Sequence, residues 1–265
     1  MKRKSLIIGL IILAVAFALY RSRLKTGLSR EEISQKNKTA EFSQTMAIER
    51  VELKTDDGVK IVGDFYRTPQ SATTGIIYLH MMPSARQSYV KLAENLQQAG
   101  YPGIAIDLRG HGESEGGPNG YKSFKDEEHQ KSVADVRGAG EFLASKGVKT
   151  LYIIGASIGA NLALEYLAEA PEAKAATLIS PGLDYRGVKT EPFLKTVSSG
   201  KAVYLIAADD DAYSAGTVRK LFDEIPRGVS RNMTSYREGG HGTALFQSQP
   251  ELVGEIERWV QSLKK

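Results

Sequence analysis

The sequence predicts an α/β fold built on a mostly parallel sheet with helices on both faces. Three observations predict it. Short apolar runs of strand length, bounded by turn residues, recur through most of the chain. Helix-length segments alternate with them and stop at glycines such as Gly100 and Gly147. Strands that alternate with helices pack as a parallel sheet whose two faces are both covered, which explains near-continuous apolar runs. The third is the turn Gly155-Ala156-Ser157-Ile158-Gly159, which lies between an apolar run and a helix-like run.

The elements follow in order. Residues 48–53 alternate as a strand, Asp56-Asp57-Gly58 forms a hairpin turn, and 59–66 is the partner strand. This opening hairpin adds an antiparallel edge. Residues 75–80 form a short buried strand, 84–99 a helix, and 101–107 a second buried strand. A glycine-rich loop spans 109–120, and a helix covers 125–146. The strand 150–154 enters the Ser157 turn and the helix 158–168 leaves it. Further strands lie at 173–179, 201–207 and 230–236, and further helices at 214–224 and 250–263. No internal repeat or low-complexity segment interrupts this pattern.

The chain has 265 residues, 42% hydrophobic and 25% charged, a length and composition that suit one sizeable globular domain plus extras. Its net charge of +4 is unevenly spread. Residues 1–45 hold nine Lys/Arg against three Glu, so the remaining body is net −2. No basic helix or aromatic–basic interleaving tracks phosphates, so no nucleic-acid partner is expected. The absence of cysteine excludes disulfides, thiolate metal sites and a cysteine nucleophile.

Three segments are expected: 1–21 as a signal anchor or signal peptide, 22–45 as a polar linker, and 46–265 as the catalytic domain. Lys2-Arg3-Lys4 precedes an uncharged stretch over 5–20, which Arg21-Ser22-Arg23 closes. A cleaved signal would use Ala14-Val15-Ala16 or Ala16-Phe17-Ala18. The missing polar region before such a site, and the immediate arginines, favour an anchor. The expectation is therefore membrane contact through a single N-terminal helix, or export if the segment is cleaved.

Serine at its ordinary pKa is a poor nucleophile, so it needs a base, and the base needs an orienting carboxylate. Ser157 stands in the strand–turn–helix setting that lifts a hydroxyl clear of a sheet. A later apolar strand ends in Asp209-Asp210-Asp211, of which strand register favours Asp211 as the acid; Asp184 is a weaker alternative. His241, in Glu238-Gly239-Gly240-His241-Gly242, is the only histidine after Ser157. The order Ser, Asp, His matches one of the known triad arrangements. Acyl transfer also needs amide donors for the oxyanion; these are expected from Ile158 and from the 81–83 loop, with Met82 preferred. No metal site is expected, because no second acidic cluster accompanies residues 209–211. His80 is expected to organise the loop after its strand, His111 to make structural hydrogen bonds, and His129 to be solvated.

Together, His80-Met81-Met82-Pro83, Asp107-Leu108-Arg109-Gly110-His111-Gly112-Glu113-Ser114, Gly155-Ala156-Ser157-Ile158-Gly159, Asp209-Asp210-Asp211 and Gly240-His241-Gly242 resemble the α/β-hydrolase superfamily. The resemblance covers residues 48–263. It implies an eight-stranded sheet, a triad of Ser157, Asp211 and His241, an oxyanion hole at Met82 and Ile158, and no cofactor. It differs at Met81, where many relatives carry glycine. It leaves the substrate open, since this fold hosts many chemistries. Only residues 181–200 separate the two strands where relatives insert a lid, so a minimal lid and a small or exposed ester or acyl substrate are expected. Met81, Met82, Tyr185 and Phe193 are candidates for an acyl pocket and equally for ordinary packing. A serine esterase is the expected activity; a peptidase or thioesterase on the same triad, or a membrane-tethered binding protein without turnover, are the alternatives.

Overall fold

The structure is a computed structural model. The chain divides into two units, Met1–Thr45 and Met46–Lys265; residues 46–263 are described, and Ser34 before them. Strands β1 (Ile48–Lys54) and β2 (Lys60–Tyr66) form the expected hairpin, with Ile48 opposite Tyr66 and Lys54 opposite Lys60. Then come β3 (Thr74–Leu79), β4 (Gly103–Ile106), β5 (Thr150–Ala156) and β6 (Ala173–Ile179). A separate two-stranded piece, β7 (Asp184–Tyr185) with β8 (Val188–Lys189), precedes β9 (Ala202–Ala208) and β10 (Ser230–Tyr236). The main sheet has eight strands in the order β1-β2-β4-β3-β5-β6-β9-β10. It is antiparallel only at the two borders of β2 and parallel elsewhere.

Strand periodicity sorts the core onto two faces. Ile76 and Tyr78 of β3 point to one side, and Ile77 and Leu79 to the other; all four are fully buried. On the first side they meet α1 (Val90–Gln98) through Leu92 and Leu96, and α7 (Glu251–Ser262) through Leu252, Ile256 and Val260. On the second they meet α3 (Val133–Ser145) through Val136, Ala139 and Leu143. The same face is covered by α4 (Ile158–Glu169) through Leu162 and by α6 (Ala212–Glu224) through Leu221. Each such Leu or Ile contributes about 1.5–3 kcal/mol by leaving water.

The strand order places the site. From β3 the chain passes to β4 on one side, then returns to β5 on the other. Loops after β3 and β5 therefore diverge and leave a crevice at their carboxyl ends, where open α/β sheets bind ligands.

Some elements differ from their sequence-based bounds. The segment expected as one helix over 84–99 opens with a 3₁₀ turn, Arg86–Tyr89. The segment 125–146 divides into α2 (Asp126–Gln130) and α3. Between them, Ser132 N–H bonds to His129 O and Ala134 N–H to Lys131 O, both at 3.0 Å; these three-residue steps interrupt the α repeat. His129 is buried rather than solvated, edge-on to Phe124 with centroids 5.4 Å apart. Residues 181–200 fold into the β7–β8 hairpin and the single turn α5 (Glu191–Leu194).

The membrane-spanning helix expected at the N-terminus is corrected, together with the membrane partner and the membrane-anchored or exported location drawn from it. Among the described residues no helix is long and apolar enough to cross a membrane. The uncharged stretch over 5–20 falls short of the roughly 20 residues a span needs. Residues 1–21 and the expected linker 22–45 lie outside the described residues, apart from Ser34.

Candidate active site

Ser157 stands between the end of β5 and the start of α4, with φ 55° and ψ −122°. A non-glycine residue there is strained by about 1–3 kcal/mol. The surroundings hold it: its N–H donates to Ile179 O at 2.8 Å, and its carbonyl accepts from Ala160 and Asn161. Both flanking glycines are required by close approach. A Cβ on Gly155 would strike the Gly159 carbonyl, and one on Gly159 would strike the Leu79 carbonyl. The turn can thus sit tight against β3 and leave the first amides of α4, Ile158 among them, without intrahelical partners. Ser157 is buried.

The three acids after β9 have separate fates. Asp211 caps α6, accepting weakly from Ser214 N–H at 3.4 Å through Oδ1. Its Oδ2 lies 2.6 Å from His241 Nδ1. Asp210 accepts the amides of Gly239 and Gly240 at 3.0 and 3.1 Å, and those amides hold its carboxyl below the usual range. Asp209 pairs with Arg219. So Asp211 meets the imidazole while Asp210 fastens the loop that carries it. A second fastening is Ser180, whose Oγ accepts Gly242 N–H at 2.9 Å from the end of β6. The sequence reading missed Ser180; an isolated serine after a strand carries no signal for it. Asp184, the weaker candidate acid, lies in β7 and accepts Gly187 N–H at 2.7 Å, a local turn contact.

The loop after β3 is organised by His80. Its Nε2 accepts Leu108 N–H at 3.0 Å, so the ring proton sits on Nδ1 and is donated to Met81 O at 2.9 Å. Met81 O also accepts Ser84 N–H at 2.8 Å. In a trans peptide the C=O and the following N–H point opposite ways, so the Met82 amide faces away from His80. Burial, with His111 nearby, lowers the His80 pKa to about 4, so the ring is neutral at pH 7. His111 donates from Nδ1 to Arg109 O (3.0 Å) and stacks on Tyr121 with centroids 4.2 Å apart. The Met81 side chain packs against Gly242, beside His241. Met82 and Phe193 are partly buried against the core that faces α4.

Tyr185 packs beside the imidazole. Its ring meets the His241 imidazole edge-on, centroids 6.1 Å apart at 81°, and its hydroxyl lies 3.2 Å from Ser214 Oγ. A hydrogen bond from Ser157 to His241 is not among those the described residues form. His241 is open to solvent, with 39% of its side chain exposed. A cavity of about 600 Å³ lined by Arg137, Glu141 and Tyr166 shares no residue with this site.

The profile of the α/β-hydrolase fold family matches residues 75–237, more than half of the chain. This chain is an α/β-hydrolase. The hydrolase is similar in structure to the Pyrococcus furiosus esterase Pf2001, at 19% identity, 83% coverage of this chain and 94% of that one, and a TM-score of 0.69. It is similar to dienelactone hydrolase from Anabaena variabilis at 20% identity, covering 83% and 97%, with a TM-score of 0.64. The esterase RhEst1 from Rhodococcus sp. is 18% identical, with 81% and 99% covered and a TM-score of 0.60. At these identities the similarity is one of fold. The comparison with curated proteins returned no match.

Proposed function

We propose that this α/β-hydrolase cleaves small carboxylic esters through an acyl-enzyme, with residues 46–265 as its catalytic domain. The observation that carries the reading is the strained Ser157 at the head of α4, served by the Asp211–His241 pair from the loops after β9 and β10. His241 removes the Ser157 proton as Oγ attacks the ester carbonyl. The amides of Ile158 and Met82 stabilise the resulting oxyanion, where such donors contribute most to rate. His241 then protonates the departing alcohol. Water repeats the cycle on the acyl-enzyme, and Asp211 holds the imidazole in the productive tautomer throughout.

The small β7–β8 hairpin supports substrates that enter from an open side. Names of similar structures, two esterases and a dienelactone hydrolase, support esters over amides. Met81, Met82, Tyr185 and Phe193 bound the acyl side. The test is hydrolysis of short-chain p-nitrophenyl esters by the wild type and Ser157→Ala, with intact-mass detection of the acyl-enzyme. Turnover falls by about 10⁴ or more in the variant, because triad members act as a unit. A Ser157→Ala protein with near-normal turnover disproves the mechanism.

A further inference from the structure

Among the described residues, three that are not glycine carry φ in the left-handed region: Ser157 at 55°, Ser180 at 50° and Arg186 at 56°. That conformation is unfavourable for a residue with a side chain and persists only where the surroundings impose it. Two of the three have a local reason. Ser157 makes the turn from β5 into α4. Arg186 stands with Gly187 between the paired Tyr185 and Val188 of the β7–β8 hairpin, and positive φ at both central positions of a two-residue turn suits the twist of a hairpin. Ser180 has no such reason. It directly follows β6, belongs to no hairpin, and is fully buried.

Its contacts supply another reason. The Ser180 N–H donates to Ile206 O on β9 at 2.7 Å, which pins the backbone to the neighbouring strand. Its Oγ accepts Gly242 N–H at 2.9 Å, in a buried bond between residues 62 apart in the chain. The residue before it, Ile179, accepts Ser157 N–H at 2.8 Å through its carbonyl. Two adjacent residues at the end of β6 therefore grip both the backbone of the Ser157 turn and the backbone of the His241 loop. Gly242 is closed from a second side as well: a Cβ there would run into the Met81 side chain, and its φ of 61° suits glycine. On the other flank of His241, Asp210 accepts the amides of Gly239 and Gly240, but those bonds are exposed and that of Ser180 is not.

We infer that Ser180 is a positioning residue for the reaction. With Ile179 it builds one frame for Ser157 and His241, so the spacing between nucleophile and base is set at the end of β6. Asp211 fixes the imidazole through Nδ1, whereas Ser180 fixes the backbone that carries it. Proton transfer needs the imidazole within reach of the serine hydroxyl, and contacts of this kind tighten when substrate binds. A His241 loop held on both flanks closes over a short path; one released at Gly242 does not return to a single place.

The inference rests on the serine-hydrolase reading, so its test separates the two. The full-length wild type, Ser180→Ala and Ser180→Gly are compared in kcat and KM on a short-chain p-nitrophenyl ester, in the rate of fluorophosphonate labelling at Ser157, and in Tm. Both variants remove the acceptor for Gly242 N–H. They differ in the backbone, since alanine keeps the strain of positive φ and glycine relieves it. Tm is therefore expected to be higher in Ser180→Gly than in Ser180→Ala. Both kcat and the labelling rate are expected to fall by about tenfold in each variant, the scale of a displaced catalytic group, with KM within about twofold of the wild type. A kcat that recovers together with Tm in Ser180→Gly would assign Ser180 to stability alone and overturn the inference. A wild-type kcat in Ser180→Ala overturns it too. A folded wild type that takes no label at Ser157 removes the hydrolase reading and this inference with it.

Discussion

His80 donates from Nδ1 to the Met81 carbonyl, 2.9 Å away, while its Nε2 accepts the Leu108 amide at 3.0 Å. One neutral imidazole thereby ties the loop after β3 to the loop after β4 and orients the Met81–Met82 peptide. Removing the ring frees that peptide to rotate. His80→Ala is expected to lower kcat on p-nitrophenyl esters by about 10–100-fold, approaching the loss of one oxyanion donor, with a smaller change in KM. Steady-state kinetics on folded protein checks it. An unchanged kcat would remove Met82 from the oxyanion site.

The three acids after β9 make a graded prediction. Asp211→Asn keeps the shape but favours the wrong His241 tautomer, and should cost about 10⁴ in kcat. Asp210→Ala releases the amides of Gly239 and Gly240 and lets the His241 loop move. A loss of about tenfold in kcat is expected from misplacement alone. Asp209→Ala breaks an exposed pair with Arg219 and an exposed bond from Ser235, and exposed contacts of this kind contribute little; kcat should stay within about twofold. Three single variants assayed side by side decide the order. A larger effect at Asp210 than at Asp211 would reverse the assignment.

This grading marks where sequence reasoning ends. Ser157 was legible because a strained turn needs glycine on both sides, and Gly155 and Gly159 stand there for contact reasons visible in the structure. The central parallel strands were legible because buried strands leave long apolar runs, while the count of eight was what the family resemblance implied; the edge strands β1 and β10 are largely exposed. Asp209, Asp210 and Asp211 are chemically identical and adjacent, so only the twist from β9 into α6 separates the one that meets His241. Strands of two residues have no periodicity, so the β7–β8 hairpin left no trace in the pattern, and the position of Tyr185 went with it. His129 misled for a related reason: its helix is charged on either side, yet a break after Gln130 turns the ring inward.

Acid stability follows from the buried histidines. Burial lowers the pKa of His80, to about 4, and of His111 and His129 as well. The unfolded chain, with histidines near 6.5, therefore binds more protons than the folded one between those values. Stability rises with pH wherever the unfolded state binds more protons. These residues contribute full stability above about pH 6.5 and lose it as pH falls toward 4. His111 strengthens the effect, because its Nε2 is buried without a partner, and a proton there would have no acceptor. Burial also raises Asp135 to about 6 and Glu165 to about 7, and those carboxyls act in the opposite direction over the same range. The histidine contribution is therefore read as a difference: between about pH 7.5 and 4.5, Tm should fall less or rise more in His129→Gln than in the wild type. Parallel wild-type and His129→Gln profiles would mean the ring accepts its proton in place.

Asn161 gives the last prediction, and it concerns stability and activity together. It is fully buried and satisfies three backbone groups, Gly182 N–H, Gly182 O and Val188 O. Asn161→Ala leaves Gly182 N–H unsatisfied, while Gly182 O keeps Thr190 and Val188 O keeps its strand partner Tyr185. A buried group without its partner costs about 1–3 kcal/mol, and a loss of that size in unfolding free energy is expected. Asn161→Asp should be worse, since it replaces the donating amide with a buried charge facing two carbonyls. Because the same bonds hold Tyr185 over His241, kcat should fall in Asn161→Ala even at temperatures where the protein is fully folded. Chemical denaturation read beside kcat separates the two effects. Full activity in a destabilised Asn161→Ala would show that Tyr185 keeps its place without the anchor.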